Sequence, residues 1–504
     1  MSKDFDKLME SANEAFQNED LAQAETMFQA ALWEAERSKD PLTVANCLDR
    51  LAEVYFEQAR YEEAEPLYKR ALEVREKELN PQHEDIVQSL NNLSAVYFFQ
   101  ERYDKAEPIC TRLTEIYEQV LGPNNPEVAT SYNNLALLYA AQQKFGAAEA
   151  LYKRSLELKS KAFGDDHPEV GDILHNLGNL YLQDERFEEA ETMLRQALTV
   201  LENALGAEHS DLEGLILNLA NVLEANGNGP EAMKMHERIL SLKELQLGPT
   251  HPEVVEMITN IANGYARIQK HAEAERFYKR ALAIKERAQA KKTPEGAELL
   301  SYLGKLYRDQ NKLPQAESFY LEALSICEQA VGPNHRETEI RVRDLAFFYQ
   351  SYNRHAKAEP CWKRIVEMRE KAFGKEHPET LAAICDYGVS LIEQQKAAEA
   401  EKLYRDLLAK VTKVLGPDHS EVGLVMHFLA ESLRHLKKYD EAEELYRKAI
   451  DVKTRALGPQ DLSVAESLMA YSVLLESTYR EDEAVHWKSC AQAIYDTQNA
   501  PSYS

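Results

Sequence analysis

The sequence predicts an all-α fold, a right-handed α-solenoid (superhelix) of about twelve helix–turn–helix repeats. Two features of the 504-residue chain carry this prediction: one pattern returns every 42 residues without an insertion, and each repeat holds two apolar stripes with helical spacing. Such a period is typical of solenoids, in which each repeat packs mainly against its neighbours. We expect a single array over residues 1–499 and a tail at 500–504. The predicted repeats are 1–37, 38–79, 80–121, 122–163, 164–205, 206–247, 248–289, 290–331, 332–373, 374–415, 416–457 and 458–499.

Composition and charge narrow the classes of partner. Lys and Arg number 59 and Asp and Glu number 85, which gives a formal net charge of −26. A surface this acidic repels phosphate backbones and anionic lipid, so we expect neither nucleic acid nor a membrane as partner. No apolar run approaches the roughly 18 residues that a membrane-spanning helix needs. The six cysteines show no C-x-x-C spacing and indicate a reduced, cytoplasmic protein.

The repeat that begins at Gly122 shows how a helix pair is encoded. Its first residues, 122–126, contain Gly and two Pro, which end one helix and suit the start of the next. Tyr132, Leu135 and Tyr139 then follow at i, i+3 and i+7, as on one face of a helix. A second apolar stripe runs over residues 148–156 after a short polar break. The sequence therefore predicts two helices of roughly 15–18 residues, each about 25 Å long.

One small residue recurs at the same place in every repeat. An invariant small side chain within an apolar stripe predicts that two helices cross closely there. Replacing such an alanine with leucine should overpack the contact, at a cost of about 1–3 kcal/mol. The alanines are Ala24, Ala64, Ala106, Ala148, Ala190, Ala232, Ala274, Ala316, Ala358, Ala400, Ala442 and Ala484. A bulky aromatic side chain recurs nine residues before many of them, at Tyr55, Tyr97, Tyr139, Tyr181, Tyr265, Tyr307 and Tyr349.

Two other helical architectures share this period. Forty-two residues equal six heptads, but a continuous coiled coil could not survive the Gly-Pro breaks that return at 122, 248, 332, 416 and 458. HEAT repeats also run to about 40–47 residues. The pattern of residues within the repeat, rather than its length, distinguishes these classes.

That pattern resembles a known family. Leu135-Ala136-x-x-Tyr139, followed by Ala148-x-x-x-Tyr152, resembles the tetratricopeptide repeat (TPR), a helix–turn–helix unit. The 42-residue form is similar to the repeats of kinesin light chains, as residues 133–139 (NNLALLY) and 247–254 (LGPTHPEV) show. The resemblance covers essentially the whole chain. It implies a TPR solenoid whose first helices line a concave surface on which peptides lie.

The histidines do not indicate catalysis or metal binding. Half of the fourteen occupy the fourth position of their repeats, where we expect them to satisfy backbone donors at a helix start or to stack on the next turn. Because whole repeats separate them, a convergent zinc site is not expected. These seven residues are His83, His167, His209, His251, His335, His377 and His419.

No sequence motif indicates an enzyme. The zinc-protease, nucleophile-elbow, P-loop and dinucleotide-binding motifs are all absent from the sequence. The most glycine-rich stretch, Asn226–Pro230, falls between the two helices of its repeat, where we expect a lengthened turn rather than a phosphate-binding loop. We therefore predict no catalytic residue, no metal site and no cofactor.

Asparagines on the first helix of the repeats form the candidate binding site. Asparagine is a mediocre helix former, so its return at matched mid-helix positions indicates a function. Its amide offers two donors and an acceptor, which complement an extended peptide backbone. The thirteenth position holds Asn92, Asn134, Asn176, Asn218 and Asn260; one turn later come Asn179, Asn221 and Asn263; and Asn91, Asn133 and His175 extend the strip.

Two interpretations of this strip remain open. The resemblance to peptide-binding TPR proteins implies that the asparagines at the thirteenth position contact the backbone or the terminal carboxylate of a bound peptide. Alternatively, they form a ladder of hydrogen bonds between repeats that sets the superhelix pitch without touching a ligand. Both can hold at once.

The character of the chain changes from residue 290 onward. The thirteenth position there holds Tyr302, Asp344, Asp386, Phe428 and Ala470, and Lys305, Arg341 and Arg343 bring positive charge nearby. This change predicts a second surface of different specificity.

The turn at 227–230 and the linker at 290–294 are the expected places for a bend. Acidic clusters such as 62–65 and 441–444 are interpreted mostly as solvated faces of second helices.

Together these features predict a non-enzymatic protein–protein interaction scaffold that binds an extended peptide or protein segment in the concave groove. The alternatives are a regulatory or sensor array whose superhelix responds to a peptide or small ligand and, more distantly, an RNA-binding helical repeat. The sequence does not specify the partner or the oligomeric state.

Overall fold

In a computed structural model, residues 3–38, 40–288 and 292–499 are described, and all regular structure within them is helical. The helices are α1 (Lys3–Gln17), α2 (Leu21–Ser38), α3 (Pro41–Glu57), α4 (Tyr61–Glu78), α5 (Glu84–Phe99), α6 (Tyr103–Leu121), α7 (Val128–Ala141), α8 (Phe145–Phe163), α9 (Pro168–Gln183), α10 (Phe187–Leu205), α11 (Leu212–Ala225), α12 (Gly229–Leu247), α13 (Pro252–Arg267), α14 (His271–Arg287), α15 (Pro294–Asp309), α16 (Leu313–Ala330), α17 (Arg336–Ser351), α18 (His355–Phe373), α19 (Pro378–Glu393), α20 (Ala397–Leu415), α21 (Ser420–His435), α22 (Tyr439–Leu457), α23 (Leu462–Ser477) and α24 (Glu481–Asn499). The all-α solenoid class is confirmed, whereas the right-handed twist and the division into twelve repeats stay predictions.

The described residues group into two compact bodies. The N-terminal body ends at Val254, and the C-terminal body begins at Val255, within α13. In the N-terminal body each helix from α1 to α12 packs against the next one along the chain, and α9 also touches both α7 and α11. The same sequential packing runs from α14 to α24 in the C-terminal body. The first helix α9 is therefore in direct contact with the first helices of both neighbouring repeats. The tail at 500–504 and positions 289–291, which include the first two residues of the expected 290–294 bend, lie outside the described residues.

Histidine caps begin many of the first helices, as the sequence predicts. In all seven linker histidines the ring Nδ1 accepts a hydrogen bond from the backbone N–H two residues further on. Asn125 and Asp461 make the same contact through side-chain oxygens in their repeats. The His167 ring also stacks on Phe163, with 4.7 Å between centroids. These contacts satisfy backbone donors that a helix start leaves free, and they explain the recurrence of the residue.

Three-residue turns join the two helices of a repeat. In the turn after α9, the N–H of Arg186 donates to the carbonyl of Tyr181 across a residue with φ of +57°, Glu185. This arrangement is the Schellman ending of a helix. The sequence predicts a lengthened turn at the glycine-rich stretch, and this prediction is wrong. The turn there, Asn226–Asn228, has three residues, as many as the turn after α9. Gly227 takes the left-handed position there, with φ of +76°.

Close helix crossings are confirmed at the invariant alanines, all of which are at most 1% exposed. The tightest contact between a small and a large residue lies at other positions of the repeat, where a glycine on the first helix meets a large side chain on the second. A Cβ added to Gly388 would lie 2.4 Å from Tyr404 Cζ, and a Cβ added to Gly178 would lie 2.7 Å from Leu194 side-chain atoms. A small residue on the first helix thus accommodates a large one on the second helix of the same repeat.

A glutamate clasp joins successive repeats. Glu149 in α8 accepts hydrogen bonds from Arg186 at 2.8 Å and from the Tyr181 hydroxyl at 2.9 Å, both in the next repeat, and from Lys153 at 2.6 Å. The hydrogen bond from Arg186 is the main cause that lowers the pKa of Glu149 to about 2. Equivalent clasps join Glu65 to Arg102, Glu317 to Arg354 and Glu443 to Arg480. The interpretation of the acidic clusters as solvated faces holds for Glu62 and Glu444, which are exposed, but it is wrong for Glu65 and Glu443, because arginines from the next repeat bind them.

Candidate functional site

Most of the predicted asparagine strip lies on first helices of the N-terminal body. Asn91 and Asn92 lie on α5, Asn133 and Asn134 on α7, His175, Asn176 and Asn179 on α9, and Asn218 and Asn221 on α11. Asn260 and Asn263 lie on α13 in the C-terminal body. Asn176 and Asn179 are one turn apart, so their side chains share a helix face.

Several of these amides bond to each other between repeats. The Asn176 amide nitrogen donates to Asn133 Oδ1 at 3.1 Å. The Asn218 amide nitrogen lies 2.8 Å from Asn179 Oδ1 and 3.2 Å from His175 Nε2. Because an amide nitrogen only donates, His175 Nε2 accepts and this imidazole is neutral. Burial lowers the pKa of His175, which favours the same neutral form. The ladder interpretation is therefore supported for α7, α9 and α11.

Other members of the strip face solvent or bond within their own repeat. Asn134, Asn221 and Asn260 are exposed, and Asn92 accepts a hydrogen bond from Gln88 at 2.7 Å. Asn263 accepts one from the Tyr278 hydroxyl. The strip thus combines amides that join repeats with amides that remain accessible to a ligand.

A cavity lies beside the first of these asparagines. It measures about 570 Å³, and both Asn92 and Asn134 line it. Its apolar wall includes Phe98, Phe99 and Leu137. The Phe99 side chain is 54% exposed and that of Leu137 is 37% exposed, so apolar surface opens to solvent next to polar amides. A volume in the range of roughly 300–1,000 Å³, with an apolar lining and few polar groups, is typical of ligand sites.

A departure from the repeat accounts for this cavity. Cys110, which lines it, stands where the flanking repeats carry Tyr68 and Tyr152, and both tyrosines are at most 3% exposed. Ser94 faces the same space. The Cys110 side chain is too short to fill the volume that a tyrosine ring occupies. The recurring residues do not predict this cavity, although the replacement of a recurring aromatic residue by cysteine is visible in the sequence.

The four first helices that carry the strip in the N-terminal body have no positive charge. The helices α5, α7, α9 and α11 contain no Lys or Arg, and α9 contains Glu169 and Asp172. Glu127, just before α7, lines the cavity. Burial, and to a smaller extent Glu169, raises the pKa of Asp172. A bound terminal carboxylate needs a cation as its partner, and these helices provide none. They therefore do not support the interpretation that the asparagines bind a terminal carboxylate.

The C-terminal body presents the different first-helix surface that the sequence indicates. Lys305 is exposed, Arg343 is half-buried, and Arg341 is buried with its guanidinium 3.2 Å from Asp344. Phe347 is 48% exposed beside Trp362, with 4.9 Å between ring centroids. Arg341 therefore forms a structural ion pair with Asp344 and is not available to bind a ligand. The second binding surface stays a prediction.

The described residues contain neither a candidate metal-ion cluster nor a candidate membrane-spanning helix. Within residues 3–38, 40–288 and 292–499, no three His, Cys, Asp or Glu side chains group closely enough to hold a metal ion. None of the described helices is long and apolar enough to cross a membrane. All six cysteines are free thiols.

Comparisons with solved structures show that TPR proteins are similar to parts of this chain. BtubC (BKLC) from P. vanneervenii is 25% identical, with a TM-score of 0.40, over 46% of this chain and 94% of its own. A putative kinesin light chain with nearly identical TPR-like repeats from Podosopora anserina is 22% identical, with a TM-score of 0.37, over 42% of this chain and 99% of its own. A TPR protein from Parabacteroides merdae is 19% identical, with a TM-score of 0.39, over 56% of this chain and 94% of its own.

The search of curated proteins found no match. Family models described as tetratricopeptide repeat match residues 7–77, 40–119, 85–161, 139–203, 212–287, 297–337, 339–413, 382–454 and 421–497. These matches span well over half of the sequence, and they agree with the helix pairs, the invariant alanines and the kinesin-light-chain-like linkers. The chain belongs to the tetratricopeptide repeat family.

Proposed function

We propose that this protein is a non-enzymatic scaffold that binds an extended peptide or protein segment along the first helices of its N-terminal body. The observation that carries the proposal is the 570 Å³ cavity between Asn92 and Asn134, in which apolar side chains are exposed beside amides. A peptide backbone needs donors and acceptors, and its side chains need apolar space. This surface offers both.

The rest of the molecule supports the same class of function. Arrays of this family typically bind protein or peptide partners, and a net charge of −26 disfavours nucleic acid, including the RNA-binding alternative. Free cysteines, three of them buried, suit the reducing cytoplasm, which we propose as the location. Neither catalysis nor a cofactor is part of the proposal.

A second candidate function is a sensor array. Asn176 and Asn218 already donate to side chains of the preceding repeat, in the same strip that contains the exposed Asn134 and Asn221. A ligand that competes for these donors would change how repeats are joined within the N-terminal body. Small-angle scattering with and without ligand tests this: the sensor requires a change in radius of gyration on binding, whereas the plain scaffold keeps its dimensions.

The test of the proposed function compares binding and stability in two variants. Asn134→Ala removes an exposed amide, so we expect weaker partner binding with an unchanged melting temperature. Asn218→Ala removes two bonds between repeats, each worth about 0.5–1.5 kcal/mol, so we expect a lower melting temperature. Asn334→Ala, an exposed linker residue in the C-terminal body, is the matched control and should change neither.

The combined variant Asn134→Ala, Asn176→Ala, Asn218→Ala serves for partner identification by affinity purification and mass spectrometry. Partners that bind wild type and the control but are lost from this variant identify the ligand. We expect at least about a tenfold loss of affinity, since each lost bond contributes about 0.5–1.5 kcal/mol. Unchanged binding together with a lowered melting temperature would show that the asparagines serve only as a ladder.

A further inference from the structure

The cavity and the charge of the helices around it define the chemistry of the ligand more narrowly. We infer that the segment bound by the N-terminal body is a basic peptide, with one large apolar side chain in the Cys110 cavity and a Lys or Arg about three residues away. This inference rests on the proposed function and deepens it.

The apolar part follows from the missing tyrosine. Where neighbouring repeats fill the space behind the first helix with Tyr68 and Tyr152, this repeat has Cys110 and Ser94. The open volume is lined by aromatic and leucine side chains, and Phe99 is more than half exposed at its edge. A large apolar side chain of a ligand would remove this surface from water, which is worth roughly 1.5–3 kcal/mol for full burial.

The basic part follows from charge complementarity. Glu127, Thr130, Asn134 and Leu137 fall on one face of α7 and its N-terminal flank, and all four line the cavity. On the adjacent α9, Asp172 shares the face of Asn176. Both carboxylates are exposed, and neither makes an ion pair with a Lys or Arg among the described residues.

The four first helices carry no Lys or Arg that could neutralise a ligand acid, so an acidic segment would be repelled and a basic one attracted.

The spacing follows from the packing of the helices. Adjacent packed helices are about 8–10 Å apart, and an extended peptide advances about 3.3 Å per residue. A segment that crosses from the cavity on α7 to Asp172 on α9 therefore advances by about three residues. Glu127 lies at the cavity itself and can pair with a basic residue next to the apolar one.

The test is selection from a synthetic library of N-acetylated, C-amidated peptides with eight randomised positions, using the full-length protein. We expect selected peptides to contain a large apolar residue and a Lys or Arg about three positions from it, with Asp and Glu depleted. Selection of peptides rich in Asp or Glu, or with no preference for charge, would overturn the inference.

Variants of the two carboxylates and of the cavity measure what each contributes to the affinity for the selected peptide. Glu127→Gln and Asp172→Asn should each weaken binding about twofold to fivefold, as expected for partly exposed ion pairs, and raised salt should diminish the difference. Glu115→Gln, which removes one charge from an exposed site on α6, is the matched control and should bind as wild type.

The double variant Ser94→Ala, Cys110→Tyr copies the residues of the flanking repeats and should lower affinity at least about tenfold while circular dichroism stays unchanged.

The outcomes separate this inference from the proposed function. If Asn134→Ala weakens binding but the charge and cavity variants do not, the inference falls and peptide binding by the strip stands. If the selected peptide binds all these variants equally, or if no peptide is selected, the proposed function falls and the inference with it.

Discussion

A buried lysine in the C-terminal body gives a quantitative prediction of stability against pH. Lys453 in α22 is 1% exposed, and its Nζ donates to Ser467 Oγ at 2.8 Å and to the Ser463 carbonyl at 3.1 Å. Its aliphatic stem crosses Gly423, where an added Cβ would lie 2.8 Å from Lys453 Cγ. Burial is the main cause that lowers the pKa of Lys453 to about 8, from 10.5 for the free side chain.

The direction of the effect follows from proton binding. At pH 7 the lysine is charged in both the folded and the unfolded chain, so the cost of burying the charge is present in full. Between pH 8 and pH 10.5 the folded chain loses the proton first, and the unfolded state binds more protons. Stability therefore rises with pH in this window, by about 2 kcal/mol between pH 7 and pH 9.5.

The assay is urea unfolding of wild type and Lys453→Met at a series of pH values. Because other titrating groups are shared, the difference between the two proteins isolates the lysine. We expect wild type to gain about 2 kcal/mol relative to the variant from pH 7 to pH 9.5. A difference that does not change with pH would refute the reasoning, since the lysine would then keep an ordinary pKa when folded.

Three further predictions concern packing and the clasp between repeats. Ala190→Leu should cost about 1–3 kcal/mol in thermal unfolding, because the alanine is fully buried; an unchanged melting temperature would contradict the close crossing. Gly388→Ala should destabilise by a similar amount, since its Cβ would meet Tyr404, whereas Gly146→Ala, which has open space, should stabilise by about 0.5–1 kcal/mol. The stability that Glu149 contributes above pH 4.5 should disappear as the pH falls toward 2, and Glu149→Gln should reduce this acid dependence of urea unfolding; identical acid profiles would argue against the clasp.

The fold could be predicted because its determinants recur at a fixed spacing. Ala190 and its equivalents, together with cap residues such as His167, return every 42 residues, so a sequence pattern reports a packing constraint directly. The clasp of Glu149 with Arg186 also recurs, but the partners lie 37 residues apart, one on helix α8 and the other in the turn between α9 and α10. Periodicity within one helix does not reveal such a contact between repeats.

The candidate site could be predicted only in part. The strip was identified from recurring asparagines, yet the sequence could not show that Asn176 bonds to Asn133 while Asn134 stays exposed, because that depends on how neighbouring helices are rotated. The cavity at Cys110 arises from an exception to the repeat rather than from the repeat itself. Sites of binding are expected where a repeated sequence breaks its own rule.

The central claim is that the first-helix surface of the N-terminal body holds the ligand, and site-specific photo-crosslinking tests it most directly. In one variant, a benzophenone amino acid replaces Thr130, which lines the cavity one helical turn before Asn134. In the other, it replaces Glu115, which is exposed on the second helix α6. We predict that a peptide selected from the library crosslinks to the protein labelled at position 130 and not to the protein labelled at position 115. Crosslinking at position 115 with none at position 130 would contradict the account.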